Sequence, residues 1–168
     1  SVSIALDIGA ADLREYDYIR FTENNATIFA GTILSIAQRD FGNPTLLYKV
    51  YDLVLASNAD YLANIFVDMS FPSGASVTQI LMGNHQGDAW YDGALGEFFG
   101  IVPVRVVNEG IAIGTIDDFS NVVLSDPAYL WGQPVSSVLD QLAEVAGGWW
   151  EVTPDKVFNM RLTTSRKT

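Results

Sequence analysis

The chain has 168 residues, 49% of them hydrophobic, and its 20 acidic and 9 basic residues give a formal net charge of −11. This length and composition allow one compact domain, or two small ones, with a sizeable core. The negative charge repels phosphate backbones and anionic lipid head groups, which argues against nucleic-acid binding. The absence of cysteine excludes a disulfide framework, a thiol nucleophile and a thiolate metal site.

The sequence predicts neither a membrane span nor a signal peptide. No apolar run approaches the roughly 20 residues that a membrane-spanning helix needs, and Ser1–Ile4 lacks the basic start of a signal peptide. The last residues, Thr163–Thr168, follow a predicted strand directly, without a closing element. We therefore expect the chain to be a piece of a longer protein.

The first 55 residues predict a series of short antiparallel strands. The adjacent residues Asn24 and Asn25 tolerate the positive φ of a hairpin turn, and Gly31 indicates a bulge or bend between two strands. The predicted strands are Ser1–Ile8, Tyr18–Phe21, Ala26–Ala30, Thr32–Arg39 and Thr45–Leu55.

The pattern changes after Leu55, where we place a boundary. Helical spacing of apolar residues appears near Tyr61–Phe66 and again in Val77–Met82, with Ser76 as a candidate N-cap of the second piece. The β-branched runs Ile101–Val107 and Ile111–Ile116 predict strands. The intervening residues 83–100 are rich in glycine and polar side chains and predict irregular structure.

The segment Gln133–Leu162 gives the strongest signal in the sequence. Apolar residues recur at spacings of three and four through Val135–Ala146, which predicts an amphipathic helix, and Gly147 supplies a left-handed exit. Two alternating runs, joined by a turn at Thr153–Lys156, then predict a β-hairpin. The segment is therefore predicted to form a helix followed by a hairpin.

One polar loop offers candidate metal ligands or an acid/base set. His85 is the only histidine, and Asp88 and Asp92 follow it closely. The spacing fixes no common face on a glycine-rich loop, and a closed zinc site needs more nitrogen or sulfur ligands. We interpret these residues as part of a solvated loop.

Asp117 and Asp118 form an acidic pair after a predicted strand, but the residues beyond lack the alternating oxygen ligands of a calcium loop. A turn is the favoured interpretation. The sequence has no Gly-x-Ser-x-Gly, phosphate-binding glycine-rich loop or His-Glu-x-x-His motif. We therefore predict no catalytic residue, no cofactor and no metal site.

The adjacent residues Trp149 and Trp150 should point to opposite faces of their strand. One can enter the core, whereas the other needs cover from this chain or from a neighbouring domain or subunit. The aromatic content, with 4 tryptophans, 7 tyrosines and 9 phenylalanines, is also compatible with a sugar-stacking surface or a subunit interface.

Two stretches resemble the bacteriophage tail baseplate hub and tail-tip protein family, which also occurs in phage-like contractile devices. The first is Ile28-Phe29-Ala30-Gly31-Thr32-Ile33, followed by a strand of the type Tyr48–Leu53 and a pattern like Asp60-Tyr61-Leu62. The second is Val135–Phe158, which is similar to a family signature of helix, glycine, tryptophan, strand, Pro-Asp and strand.

The resemblance implies an α+β fold. Residues 1–55 would be antiparallel strands of a tube-like β-barrel, and residues 56–168 would be an inserted α/β subdomain that ends in a helix and hairpin. The family's role is mechanical: a homotrimeric ring closes the tail tube, contacts other tail proteins and opens for DNA. The implied location is the virion tail, assembled in the bacterial host cytoplasm.

The resemblance also suggests which residues form contact surfaces. They lie on an edge strand, Thr27–Ile36, and on the C-terminal hairpin. The specific candidates are Ile28, Phe29, Ile33, Trp149 and Trp150.

Two other hypotheses remain open from the sequence. The aromatic and acidic content is compatible with a carbohydrate-binding or carbohydrate-cleaving module, because a glycosidase needs only two carboxylates. An ordinary bacterial α+β domain with an unknown partner is the other.

Overall fold

A computed structural model of the chain describes residues 2–7, 13–43, 46–84 and 99–165. The chain forms two compact units, Ser1–Asn58 and Ala59–Thr168. The fold is mixed α+β and is dominated by strands.

The first unit is a four-stranded sheet in the order β1-β4-β3-β2, in which each neighbouring pair is antiparallel. The predicted antiparallel strands are thus confirmed. The strands are β1 (Val2–Asp7), β2 (Tyr18–Glu23), β3 (Ala26–Asn43) and β4 (Leu46–Ser57).

Strand β3 is 18 residues long and continues through Gly31, where the sequence predicted a bend between two strands. It pairs with β2 through Ala26–Thr32 and with β4 through Gly31–Asn43, and the irregularity in its pairing with β4 falls between Ile33 and Ser35. Gly31 is needed for a different reason. A Cβ there would lie 2.1 Å from the Ala56 carbonyl oxygen, so only glycine allows the backbones to approach so closely.

The stagger of β3 corrects the prediction that Thr27–Ile36 is an edge strand. Strand β3 lies between β2 and β4 in the strand order, although within this stretch Thr27–Ala30 pairs only with β2, Gly31 and Thr32 pair with both strands, and Ile33–Ile36 pairs only with β4. No described strand continues β2 alongside Leu34–Asn43, so β3 has an open edge there among the strands that the structure describes.

The described strands of this sheet do not close into a barrel, since β1 and β2 lie at opposite ends of the strand order. Barrels with an interior filled by side chains contain about eight strands. Four strands therefore form only an open sheet.

The core of the first unit is small among the residues whose burial the structure describes. Ile33, Tyr51 and Leu53 are fully buried, and Ile19 and Ile36 are among the partly buried side chains that pack against them. A sheet needs a second layer to bury one face completely. Within the described part of its own unit, this sheet has only a small part of such a layer.

The second unit contains two helices and five short strands among its described residues. Strands β5 and β7 pair antiparallel, whereas β6, β9 and β8 form a mixed sheet in that order, with β6 parallel to β9. The elements are a 3₁₀-helix (Asn58–Ala63), β5 (Ser70–Phe71), α1 (Val77–Met82), a π-helical turn (Val102–Val106), a 3₁₀-turn (Val107–Glu109), β6 (Ala112–Ile116), β7 (Ala128–Tyr129), α2 (Val135–Ala146), β8 (Gly148–Val152), β9 (Val157–Leu162) and a final 3₁₀-turn (Thr163–Ser165).

Helix α1 begins at the predicted cap. The Ser76 hydroxyl accepts a hydrogen bond from the Gln79 amide at 3.2 Å, and the Gln79 side chain accepts one from the Ser76 amide at 2.9 Å. This reciprocal arrangement is a capping box, which satisfies amide groups that have no partner within the helix. The helical spacing near Tyr61–Phe66 produces only the 3₁₀-helix Asn58–Ala63.

The prediction of a strand at Ile101–Val107 is wrong, because this segment is helical. Pro103 lies in the first helical turn, where its missing N–H costs nothing and its fixed φ suits the helix. Ile101, Val102 and Val106 are fully buried in the core. Packing therefore outweighs the β propensity of the branched side chains.

The predicted helix and hairpin at the end of the chain are confirmed as α2, β8 and β9. Gly147 ends α2 with φ of 65°, in the left-handed region. The buried face of α2 joins the core of the second unit, which includes Leu62, Phe71, Ile80, Leu81, Ile101, Phe119, Val138, Leu139, Phe158 and Met160. None of the described helices is both long and apolar enough to cross a membrane.

Candidate functional site

The predicted contact residues of the first unit differ in their exposure. Ile28 is 61% exposed, whereas Ile33 has no exposed area and belongs to the core. Phe29 is half-buried, and its ring lies 6.0 Å from that of Phe21 on β2. Ile28 and Phe29 therefore lie at or near the surface of the β2–β3 hairpin, but Ile33 does not.

The predicted contact residues of the second unit, Trp149 and Trp150, lie on β8 and are both half-buried. The Trp150 ring stacks on that of the buried Phe158, with 6.2 Å between centroids. Its Nε1 donates a hydrogen bond to Asp140 Oδ1 at 2.8 Å. This indole is therefore fixed on one face by packing and at its polar end by a carboxylate of α2.

An open groove of about 580 Å³ lies between α2 and β8. Three carboxylates, those of Asp140, Glu144 and Glu151, line it together with both indoles. Among the described residues, no lysine or arginine lines the groove. It therefore combines aromatic surface with negative charge.

The Glu151 carboxylate is positioned by the hairpin itself. Glu151 Oε1 accepts a hydrogen bond from Asn159 Nδ2 at 3.2 Å. The amide oxygen of Asn159 in turn accepts one from the Thr115 amide of β6 at 2.8 Å. Because Asn159 is 7% exposed, this chain of hydrogen bonds links the rim of the groove to the interior of the three-stranded sheet.

The acidic pair after β6 has a structural role. Asp117 Oδ2 accepts a hydrogen bond from the Leu162 amide, and Asp118 Oδ1 accepts one from the Ser120 amide, at 2.8 and 2.9 Å. Hydrogen bonds from Ser120 lower the pKa of the Asp118 carboxyl. The two carboxylates thus bind backbone amides, in agreement with the predicted turn.

The other candidate ligands lie elsewhere. His85, Asp88 and Asp92 fall outside the described residues. Within the part of the chain that the structure describes, no group of three histidine, aspartate or glutamate side chains is arranged to hold a metal ion.

A second surface depression, of about 300 Å³, lies beside the exposed rings of Phe99 and Trp131. Asp68, on its border, forms an ion pair with Arg105 of the π-helical turn. The hydrogen bond from Arg105 lowers the pKa of the Asp68 carboxyl.

No protein-family model and no curated protein matches the sequence. The fold does have a solved counterpart. The chain is similar to the crystal structure of the 43 kDa tail protein of prophage MuSo2 from Shewanella oneidensis, with a TM-score of 0.57 and 8% sequence identity. The similarity covers 95% of this chain and 43% of that protein, so the chain corresponds to less than half of its length. At this identity the likeness concerns the fold.

The sequence predictions selected the tryptophans of the groove but not its carboxylates. Asp140 and Glu144 are four residues apart on the polar face of a predicted helix, a spacing that brings side chains together. Glu151 directly follows the two tryptophans. The spacing was visible in the sequence, but the packing of α2 beside β8 was needed to bring the three acids to one groove.

Proposed function

We propose that this chain is a non-catalytic structural part of a phage or phage-like tail, at the tail tip in the baseplate hub. It would close the tail tube and connect it to needle or receptor-binding parts. The observation that carries the proposal is the fold likeness to a prophage tail protein, which extends over 95% of the chain.

The first unit has the properties expected of part of a tube wall. Its sheet is open among the described strands, and among the residues whose burial the structure describes its core cluster consists of Ile33, Tyr51 and Leu53. An open β3 edge and a thin core favour pairing and packing with further strands. We propose that strands from outside this chain complete a β-barrel with the sheet.

The proposed assembly is a homotrimeric ring that also contacts other tail proteins. The exposed side chain of Ile28, together with the half-buried Phe29 next to it in β3, is the proposed contact surface of the first unit. The formal charge of −11 suits a lumen through which DNA passes without being bound, because like charges repel. No cofactor is required for this role.

The proposed location, the virion tail assembled in the host cytoplasm, is tested by immunogold electron microscopy. Antibody raised against this chain is applied to particles induced from the strain that encodes it. We expect gold at the tail tip.

The control is a second sample treated by mild disruption, which exposes buried epitopes. Gold along the whole tail, or on the capsid, would contradict the tail-tip location. Particles without label in both samples would contradict a role in the tail altogether.

A further inference from the structure

The groove between α2 and β8 borders a strand with an unpaired edge. In the sheet order β6-β9-β8, β8 lies at the end and pairs with β9 alone among the described strands. Such an edge offers a row of backbone donors and acceptors to another strand. The groove therefore contains hydrogen-bonding groups in addition to its side chains.

The pairing register shows which backbone groups face the groove. The Thr153 amide donates to the Val157 carbonyl at 2.9 Å, across to β9. Since hydrogen-bonded and outward-facing residues alternate along an antiparallel strand, the N–H and C=O groups of Gly148, Trp150 and Val152 point away from β9. These same three residues line the groove.

The side chains around this edge determine which segment fits. No lysine or arginine occurs from Gln133 to Asp155, while the acids Asp140, Glu144 and Glu151 line the groove together with the indoles. The groove therefore carries three acidic residues with no basic residue among those that line it, beside half-buried aromatic rings. An arginine or lysine side chain matches both features, because its stem packs on an indole and its charge meets the carboxylates.

We propose that this groove binds an extended basic segment of a partner protein, which adds a strand to β8. The backbone of the segment pairs with Gly148, Trp150 and Val152. Its basic side chains pack beside the indoles, within reach of the carboxylates of α2 on one face of β8 and of Glu151 on the other. This is strand addition with charge selectivity, and it does not depend on the proposed function in a phage tail.

The test uses a labelled peptide of alternating threonine and arginine, blocked at both ends, and fluorescence anisotropy at low salt with the whole chain. The matched peptide contains citrulline, which is neutral, in place of arginine. We expect binding of the arginine peptide and about tenfold weaker binding of the citrulline peptide. The isosteric variant Asp140→Asn/Glu144→Gln/Glu151→Gln should weaken arginine-peptide binding to a similar degree.

The control variant Glu23→Gln/Glu109→Gln/Asp126→Asn removes the same charge from exposed positions outside the groove and should change affinity by no more than about twofold. Amide shifts in NMR spectra should concentrate on Gly148, Trp150 and Val152. Equal affinity for both peptides, equal effects of both variants, or no binding below about 1 mM peptide would overturn the proposal. So would shifts of these amides with a neutral oligosaccharide but not with the peptide.

Discussion

Ser76 shows how a single side chain fixes the start of an element. Its hydroxyl is one half of the capping box of α1, so Ser76→Ala should lower the free energy of unfolding by about 1 kcal/mol. Urea unfolding followed by tryptophan fluorescence measures this in the second unit, because all four tryptophans lie in residues 59–168. Ser73→Ala, at an exposed position nearby, is the control. Equal losses in the two variants would contradict the capping role.

The ion pair of Asp68 and Arg105 predicts a pH dependence. Because the folded-state pKa of Asp68 is lowered, the pair stabilises the fold above the ordinary aspartate pKa of about 3.9. That contribution is lost as the pH falls through the lowered folded-state value. In the variant Arg105→Gln, we expect the pKa of Asp68 to rise toward its ordinary value in a carboxyl NMR titration.

Asp118 serves as the internal control in that titration. Its pKa is lowered by Ser120, so it should stay low in Arg105→Gln. A rise of both carboxyls would indicate a general change of the fold. At this scale the sequence predicted the Ser76 cap, because its partner lies three residues away, but not the Asp68 pair, whose partner is distant in the chain.

The two faces of helix α2 contribute differently to the stability of the second unit. Leu139 is fully buried, whereas Val145 is 64% exposed. Leu139→Ala should destabilise the second unit by about 3 kcal/mol, through lost apolar contact and a residual cavity. Val145→Ala is the matched control and should be nearly neutral, since alanine favours helix. Similar changes in the urea midpoints of both variants would contradict the assigned orientation of the helix.

The crossing of β3 and β4 at Gly31 gives a prediction for the first unit. A methyl group there would overlap the Ala56 carbonyl, so Gly31→Ala should destabilise the sheet by about 1–3 kcal/mol. Hydrogen exchange of β3 and β4 amides measures this, because the first unit contains no tryptophan. Ala37→Val adds a larger side chain at an exposed position of the same strand and should leave exchange unchanged. If the β3 and β4 amides exchange as slowly in Gly31→Ala as in the unsubstituted chain, the close approach of Gly31 to the Ala56 carbonyl is contradicted.

The periodicity of apolar residues correctly predicts the helices and strands that bury a single face. The spacing in Val135–Ala146 and the turn after Val152 gave α2 and the hairpin, since each buries a single face. The sequence wrongly predicts a strand at Ile101–Val107. Its apolar residues show neither the period of two that is typical of strands nor the period of 3.6 that is typical of helices. Pro103 was the available warning, because proline rarely occurs inside a central strand. The sequence predicts a bend at Gly31, because the local sequence does not show that the backbone of β4 lies close to this residue.

For the whole molecule, the two units differ in how much core they bury. Among the residues whose burial the structure describes, the second unit has an extensive apolar core, whereas the first has three fully buried apolar side chains in its cluster. Hydrophobic pattern predicts that strands form but not how many chains complete the sheet. This is why the sequence predicted the antiparallel strands, while closure into a barrel remains a proposal.

Self-association of the chain tests the proposed contact between copies of the first unit. In sedimentation velocity at increasing concentration we expect trimers, held in part by Ile28. Ile28→Glu places a charge where the proposed contact buries an apolar side chain, and burial of an isoleucine contributes about 1.5–3 kcal/mol. Association should therefore require about tenfold more protein or greater. Val145→Glu, an equal charge on the exposed face of α2, should leave association unchanged. Equal effects of the two variants on association would show that the β2–β3 hairpin is not the contact surface of a ring.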